Sequence, residues 1–169
     1  MESLRSSDDL ATRWFQGHAT FRRVLSLAVA VGRGGQLTEA ELVAMCRRCE
    51  RYLLEVLPLE TAIEERCLFP LLLGKRPDID EALELARSHR RAQAPLIQAL
   101  LAELEGVRCH PTSARHRQRL LVLAERLAFE LGKHLAYEER VLYPALGSLL
   151  TPEEQRAVLR EMGPPRALD

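Results

Sequence analysis

Apolar residues recur along this chain at intervals of three and four, and nowhere do they alternate with polar ones for long enough to suggest a strand. The pattern predicts five helices. Ser6, Ser7 or Asp8 can cap a first helix that runs to about Val31, where GRGGQ ends it. Thr38 with Glu41 makes a capping box for a second helix reaching about Leu73 and interrupted at Pro58. After a turn from Gly74 to Pro77, Asp78 or Asp80 opens a third helix that continues to about Glu105, with a kink at Pro95. GVRCHPT breaks the periodicity, and Thr112 or Ser113 starts a fourth helix lasting to about Leu146. Thr151-Pro152-Glu153-Glu154 then supplies a cap, a first-turn proline and acidic first-turn residues for a short fifth helix over about 152–162, ended by GPP. Four long helices joined by short turns hide their apolar stripes most simply in an up-down-up-down bundle. The expected fold is therefore all-α, a single domain over 1–169 with its core at about 10–150.

Within that pattern one segment repeats. Residues 60–72, ETAIEERCLFPLL, recur 74 positions later as HLAYEERVLYPAL, identical at seven of 13 positions. The first copy begins with Glu60 and the second with His134. In the second, His134 and Glu138 stand four apart on a helix, so imidazole and carboxylate leave the same face one turn from each other and can grip one metal ion or bridge two. A lone histidine precedes each copy, His18 by 42 residues and His89 by 45. The chain reads as two related helical hairpins, each with a histidine on its first helix and an (E/H)-x-x-x-E pair on its second.

All six groups fall among apolar neighbours: His18 among Trp14, Phe21 and Leu25, Glu60 and Glu64 among Leu57, Leu68 and Leu71, and so on for His89, His134 and Glu138. A single histidine on such a stripe is more often an ordinary core residue than a ligand. Three buried carboxylates are different, because each unpaired one costs several kcal/mol and must protonate or find a cation. Arg22, Arg66, Arg90 and Arg140 are near enough in sequence to take part of that charge. Two divalent ions would offset all three carboxylates and use the imidazoles as well.

Composition narrows the partners. Twenty-four basic and 24 acidic residues cancel, so no overall field recommends nucleic acid or an anionic membrane. The first residues carry no apolar leader and no segment reaches the roughly 20 apolar residues that span a bilayer, which predicts a soluble, cytoplasmic protein. Cys46 and Cys49 form a CxxC within a helical pattern but lack a second pair to complete a zinc site, and with Cys67 and Cys109 they are expected to be reduced thiols. His110 and His116 belong to the loop before the fourth helix and are set apart from the core-facing groups.

The combination of His18, Glu60-x-x-x-Glu64, His89 and His134-x-x-x-Glu138, with EER-x-L-aromatic-P after both pairs and a TPEE helix at the end, resembles the hemerythrin-like (HHE cation-binding) family over about residues 10–162. The resemblance implies a non-haem di-iron centre inside the four helices. Glu64 and Glu138 would be bridging carboxylates, His89 and His134 would serve one iron, and His18 the other. Glu60 stands where the family pattern has a histidine, and is expected to bind the His18-side iron as a carboxylate, which makes the donor set harder and admits manganese. Glu130, one turn before His134, is a candidate to orient it. Ferritin-like bundles use Glu-x-x-His pairs, and none of the five histidines here has a glutamate three residues before it. The implied function is iron binding with oxygen, peroxide or nitric oxide as the small-molecule partner, for sensing, scavenging or iron handling. A peroxide-consuming or ferroxidase-like oxidoreductase and a metal-free interaction bundle are the alternatives. A sensor would act through self-association or a separate signalling partner.

Overall fold

The computed structural model describes residues 9–166 and 168. Among these the chain is all-α, with no strand. Helix α1 is Leu10–Arg33, α2 is a rod over 39–72, α3 is Pro77–Cys109, α4 is Ala114–Leu149 and α5 is Pro152–Met162. The proposed caps Ser6, Ser7 and Asp8 lie outside the described residues; Asp9 accepts from the Thr12 N–H at 2.6 Å and caps α1. Two sequence-legible capping boxes form as expected, Thr38 with Glu41 and Thr151 with Glu154. Ser113 caps α4. Neither Asp78 nor Asp80 caps α3. Asp78 pairs with Arg76, and Asp80 accepts from the Gly74 N–H at 2.7 Å, so both carboxylates brace the preceding turn. Helices α3 and α4 overrun their expected ends, to Cys109 and Leu149, and each continues through its proline, Pro95 or Pro144.

The interruption expected at Pro58 is a widening of α2, not a break. Its α-helical pieces Glu39–Arg51, Leu57–Ile63 and Phe69–Leu72 are joined by π turns at Tyr52–Val56 and Glu64–Leu68. The Leu57 N–H reaches the Tyr52 carbonyl and the Phe69 N–H reaches that of Glu64, five residues back in each case. Each wide turn ends just before a proline, Pro58 or Pro70, whose ring has no N–H to donate and clashes with the carbonyl four residues back. Widening the turn relieves that clash while the rod continues.

The four long helices form a ring of contacts, α1 with α2, α2 with α3, α3 with α4 and α4 with α1, and α5 caps the end beside α1 and α2. The core is divided. One apolar cluster holds Phe21, Leu25, Leu53, Leu100, Leu127 and Leu131; the other holds Trp14, Leu68, Phe69, Leu83, Leu142 and Leu146. On each helix the candidate site residues fall between these two sets: His18 after Trp14 and before Phe21, Glu64 before Leu68, His134 and Glu138 between Leu131 and Leu142. The bundle is thus two oily halves separated by a polar layer.

In the half that holds Phe21 and Leu127, α1 and α4 meet in a contact that admits no side chain. A Cβ on Gly32 of α1 would lie 2.7 Å from the Leu121 Cα of α4. Gly32→Ala should lower stability by about 1–3 kcal/mol because backbone must move to admit the methyl group. Gly132→Ala serves as the control: its Cβ would meet nothing within 4 Å, and a helical glycine replaced by alanine stabilises by up to about 1 kcal/mol. Chemical denaturation with unchanged m-value distinguishes the two directions.

Candidate metal centre

The centre of the polar layer is the Glu138 carboxylate, 1% exposed. Its Oε1 lies 2.5 Å from His134 Nε2 and its Oε2 lies 3.3 Å from His18 Nε2, so one carboxylate spans two imidazoles from α4 and α1. His134 and His18 are 3% and 7% exposed. Desolvation alone would raise the Glu138 pKa; the hydrogen bonds and charges of His134 and His18 outweigh it and hold the carboxyl well below its ordinary range. His18 shows the reciprocal effect. Burial opposes its charged form, yet Glu138, Glu64 and Glu139 raise its pKa.

Each imidazole is steadied from behind. His18 Nδ1 is 3.1 Å from Glu139 Oε1, and Glu139 is held in turn by both Arg22 guanidinium nitrogens at 2.7 and 3.1 Å. Both ring nitrogens of His18 therefore face carboxylates, an arrangement that favours the doubly protonated ring. His134 Nδ1 has Gln93 as its partner, with the amide nitrogen at 3.3 Å. A primary amide can offer either its N–H or, turned over, its oxygen, so Gln93 suits either tautomer of that ring. Glu130, the candidate for this task, is exposed on the surface; Gln93 on α3 takes its place. His89 packs beside His134 with ring centroids 4.6 Å apart, and its Nδ1 is buried without a hydrogen-bond partner. The ring itself is half-buried.

The other carboxylates are differently engaged. Glu64, 9% exposed, accepts from Trp14 Nε1 at 2.8 Å and from the Arg90 guanidinium. Trp14 is thus a buried core residue and a hydrogen-bond donor as well, with its ring centroid 4.3 Å from that of His18. Glu60 is half-buried, with its carboxylate against Gly17 of α1. Burial and the charge of Glu64 raise its pKa, against the pull of Arg13, Arg166 and His18. Arg13 also donates to the Pro164 carbonyl at 3.0 Å, fastening the segment after α5 near Glu60. Of the six sequence-derived candidates, His18 and His134 each contact Glu138, His89 lies beside His134, and Glu60 and Glu64 sit across the layer.

A cavity of about 460 Å³ opens onto this layer, lined by His18, Glu60, Glu64, His134 and Glu138 and walled by side chains such as Leu53 and Ile97. Two imidazoles and a carboxylate suit iron or manganese, and an orphaned imidazole nitrogen alongside them suits a further ligand bond. In the geometry described, however, no three His, Cys, Asp or Glu side chains stand ready around a cation-sized gap among the described residues. The donors touch one another through protons that a cation would displace.

Glu139 and Gln93 were not assigned roles from the sequence; of the four arginines near enough to take carboxylate charge, Arg90 pairs with Glu64 and Arg22 with Glu139. One signal for Glu139 was present: it is the second Glu of the repeated EER, and its counterpart Glu65 also binds arginines, Arg87 and Arg90. Tyr137 is half-buried packing, Tyr143 stacks edge-on with exposed Phe15, and His116 pairs with Glu103 at 2.7 Å, all outside the polar layer. Cys46 and Cys49 are fully buried, and desolvation pushes each thiol up to about 12. Thiolate is the reactive form, so alkylation of the native protein at neutral pH should label exposed Cys109 while sparing Cys46 and Cys49 until the chain unfolds; mass spectrometry of the labelled peptides reads this out.

A family model described as Hemerythrin HHE cation binding domain matches residues 9–146. No curated protein and no solved structure matches the chain. No helix among the described residues is long and apolar enough to cross a membrane.

Proposed function

The chain belongs to the hemerythrin HHE cation-binding family, and we propose that it is a non-haem iron protein whose buried polar layer holds the metal and presents it to oxygen, peroxide or nitric oxide. The observation that carries this reading is His18 and His134 on opposite oxygens of buried Glu138, with the unpartnered His89 nitrogen beside them. His18, His134 and Glu138 would hold the metal, with His89 completing the set; Glu60 and Glu64 are the carboxylates available for a second ion. The bound iron would supply redox chemistry and a coordination position for the small molecule. The protein's own contribution is to order and desolvate that position. Glu139 fixes the His18 ring and keeps its Nδ1 proton, so that Nε2 is the nitrogen offered to metal. Gln93 would do the same for His134 once its amide is turned over, so that the oxygen, in place of the nitrogen, meets Nδ1–H. The cavity reaches Glu138 past apolar walls and has ample room for a diatomic or peroxide.

Sensing, scavenging and iron handling all use such a centre. A peroxide-consuming or ferroxidase-like oxidoreductase uses it too, and in that case turnover disappears in Glu138→Ala while the helical fold remains. A metal-free helical interaction module is favoured by one observation, the ion pair that already satisfies Glu64. Elemental analysis of protein reconstituted with ferrous iron decides between them. Retained iron, lost in His134→Ala and Glu138→Ala variants that keep their helicity, supports the metal reading; no retention by the parent chain at saturating iron overturns it.

Two quantitative outcomes follow. Glu139→Gln should weaken metal affinity by roughly 10- to 100-fold, the usual effect of removing a carboxylate behind a ligand histidine. Metal must also displace a proton from His18, whose pKa is raised. Apparent affinity should therefore climb by up to about tenfold per pH unit from acid pH and level off once pH passes the His18 value. In the metal-free protein the sign reverses: the stability contributed by charged His18 is complete below its ordinary value and fades as pH rises through the raised one. Calorimetric titration and denaturation across pH 5–9 test the pair.

A further inference from the structure

The two copies of the repeat place their glutamates alike but neutralise them differently. In the second copy the outer glutamate, Glu139, takes Arg22 from α1, which leaves the inner one, Glu138, to the two imidazoles. In the first copy the outer glutamate, Glu65, takes Arg87 and one nitrogen of Arg90, at 2.9 and 3.0 Å. The other terminal nitrogen of Arg90 lies directly on the inner one, Glu64. Two arginines and two glutamates alternate in a neutral chain of ion pairs, Arg87 to Glu65 to Arg90 to Glu64. It is stacked on an aromatic ring as well, with the Arg90 guanidinium carbon 5.0 Å and that of Arg87 5.6 Å from the centroid of fully buried Phe69.

The origin of the difference lies at the first position of the motif. His134 and Glu138 at i, i+4 attract, whereas Glu60 and Glu64 at the same spacing repel. A second acid at that place creates a demand for a cation, and Arg90, next to His89 on α3, meets it with an ion pair. A metal ion entering beside Glu64 would have to strip off a guanidinium that also grips Glu65 and Phe69, then tolerate that displaced positive charge nearby. The remaining Glu64 oxygen already accepts from Trp14.

We propose that this chain holds a single metal ion, on the His18–Glu138–His134 side of the polar layer, and that Arg90 is the built-in cation of the Glu60–Glu64 side. The inference rests on the iron-binding reading above and sharpens its stoichiometry. It makes the centre mononuclear, with Glu60 and Glu64 as neighbours of the ion in place of ligands.

The test is metal stoichiometry and spin state in the full chain, using ferrous iron alone and, separately, manganese alone. The parent chain should take up about one ion per chain, as a donor set of two imidazoles and a carboxylate requires. After oxidation it should show the half-integer-spin resonance of an isolated ferric ion. Arg90→Ala should raise uptake toward about two ions, because Glu64 then loses its cation beside the like charge of Glu60; the resonance should diminish as the ferric ions couple. Arg90→Lys, which keeps the charge, should stay at about one. Two coupled ions in the parent chain overturn this inference and leave the iron-binding function intact. No ion in the parent chain overturns both. One ion in the parent that remains one in a folded Arg90→Ala variant removes Arg90 from the role assigned to it. The parent-chain measurement stands even where a variant fails to fold.

Discussion

The structure depends on keeping a negative charge in the middle of an oily bundle. Glu138 is almost completely removed from water and its charge is nonetheless retained, because an imidazole from the same helix and one from the facing helix contact its two oxygens. Without those partners the carboxyl would be driven to protonate by desolvation. The rest of the layer follows from the same constraint. His18 needs Glu139, Glu139 needs Arg22, and His134 needs Gln93, so one buried charge recruits side chains from three helices. The apolar clusters on either side are separated by this requirement.

That layer also couples architecture to chemistry. Groups that are hydrogen-bonded to each other in the metal-free chain are the groups whose lone pairs would bind a cation, and the protons between them are what a cation would replace. Glu139 and Gln93 bear on both states, since they set which nitrogen of each ring points inward. In the metal-free chain the imidazoles on its two oxygens are what compensate Glu138. On the Glu64 side the balance is struck with guanidinium groups, and no proton exchange can release those.

Much of the site was legible because its spacing is helical. A residue pair four apart on a helix shares a face wherever the helix goes, so His134 with Glu138 and Glu60 with Glu64 could be placed before any tertiary contact was known. Capping boxes at Thr38 and Thr151 were legible for the same reason, being local. The ends of α3 and α4 were less so. Packing carries both helices past residues whose intrinsic preference would stop them, and the prolines at 95 and 144 are absorbed in regular helix while those at 58 and 70 widen theirs.

The sequence by itself determined the class of fold, the repeat, the six polar positions facing inward and the odd acid at position 60, because these follow from periodicity and residue type. Only the tertiary structure decided who partners whom. Arg90 could not be chosen over Arg66 or Arg140 from spacing alone, nor Gln93 over Glu130, since contacts between helices depend on the rotation of each rod about its axis. The charge of a buried side chain is settled by whatever lies across the interface, and that information belongs to the packed bundle.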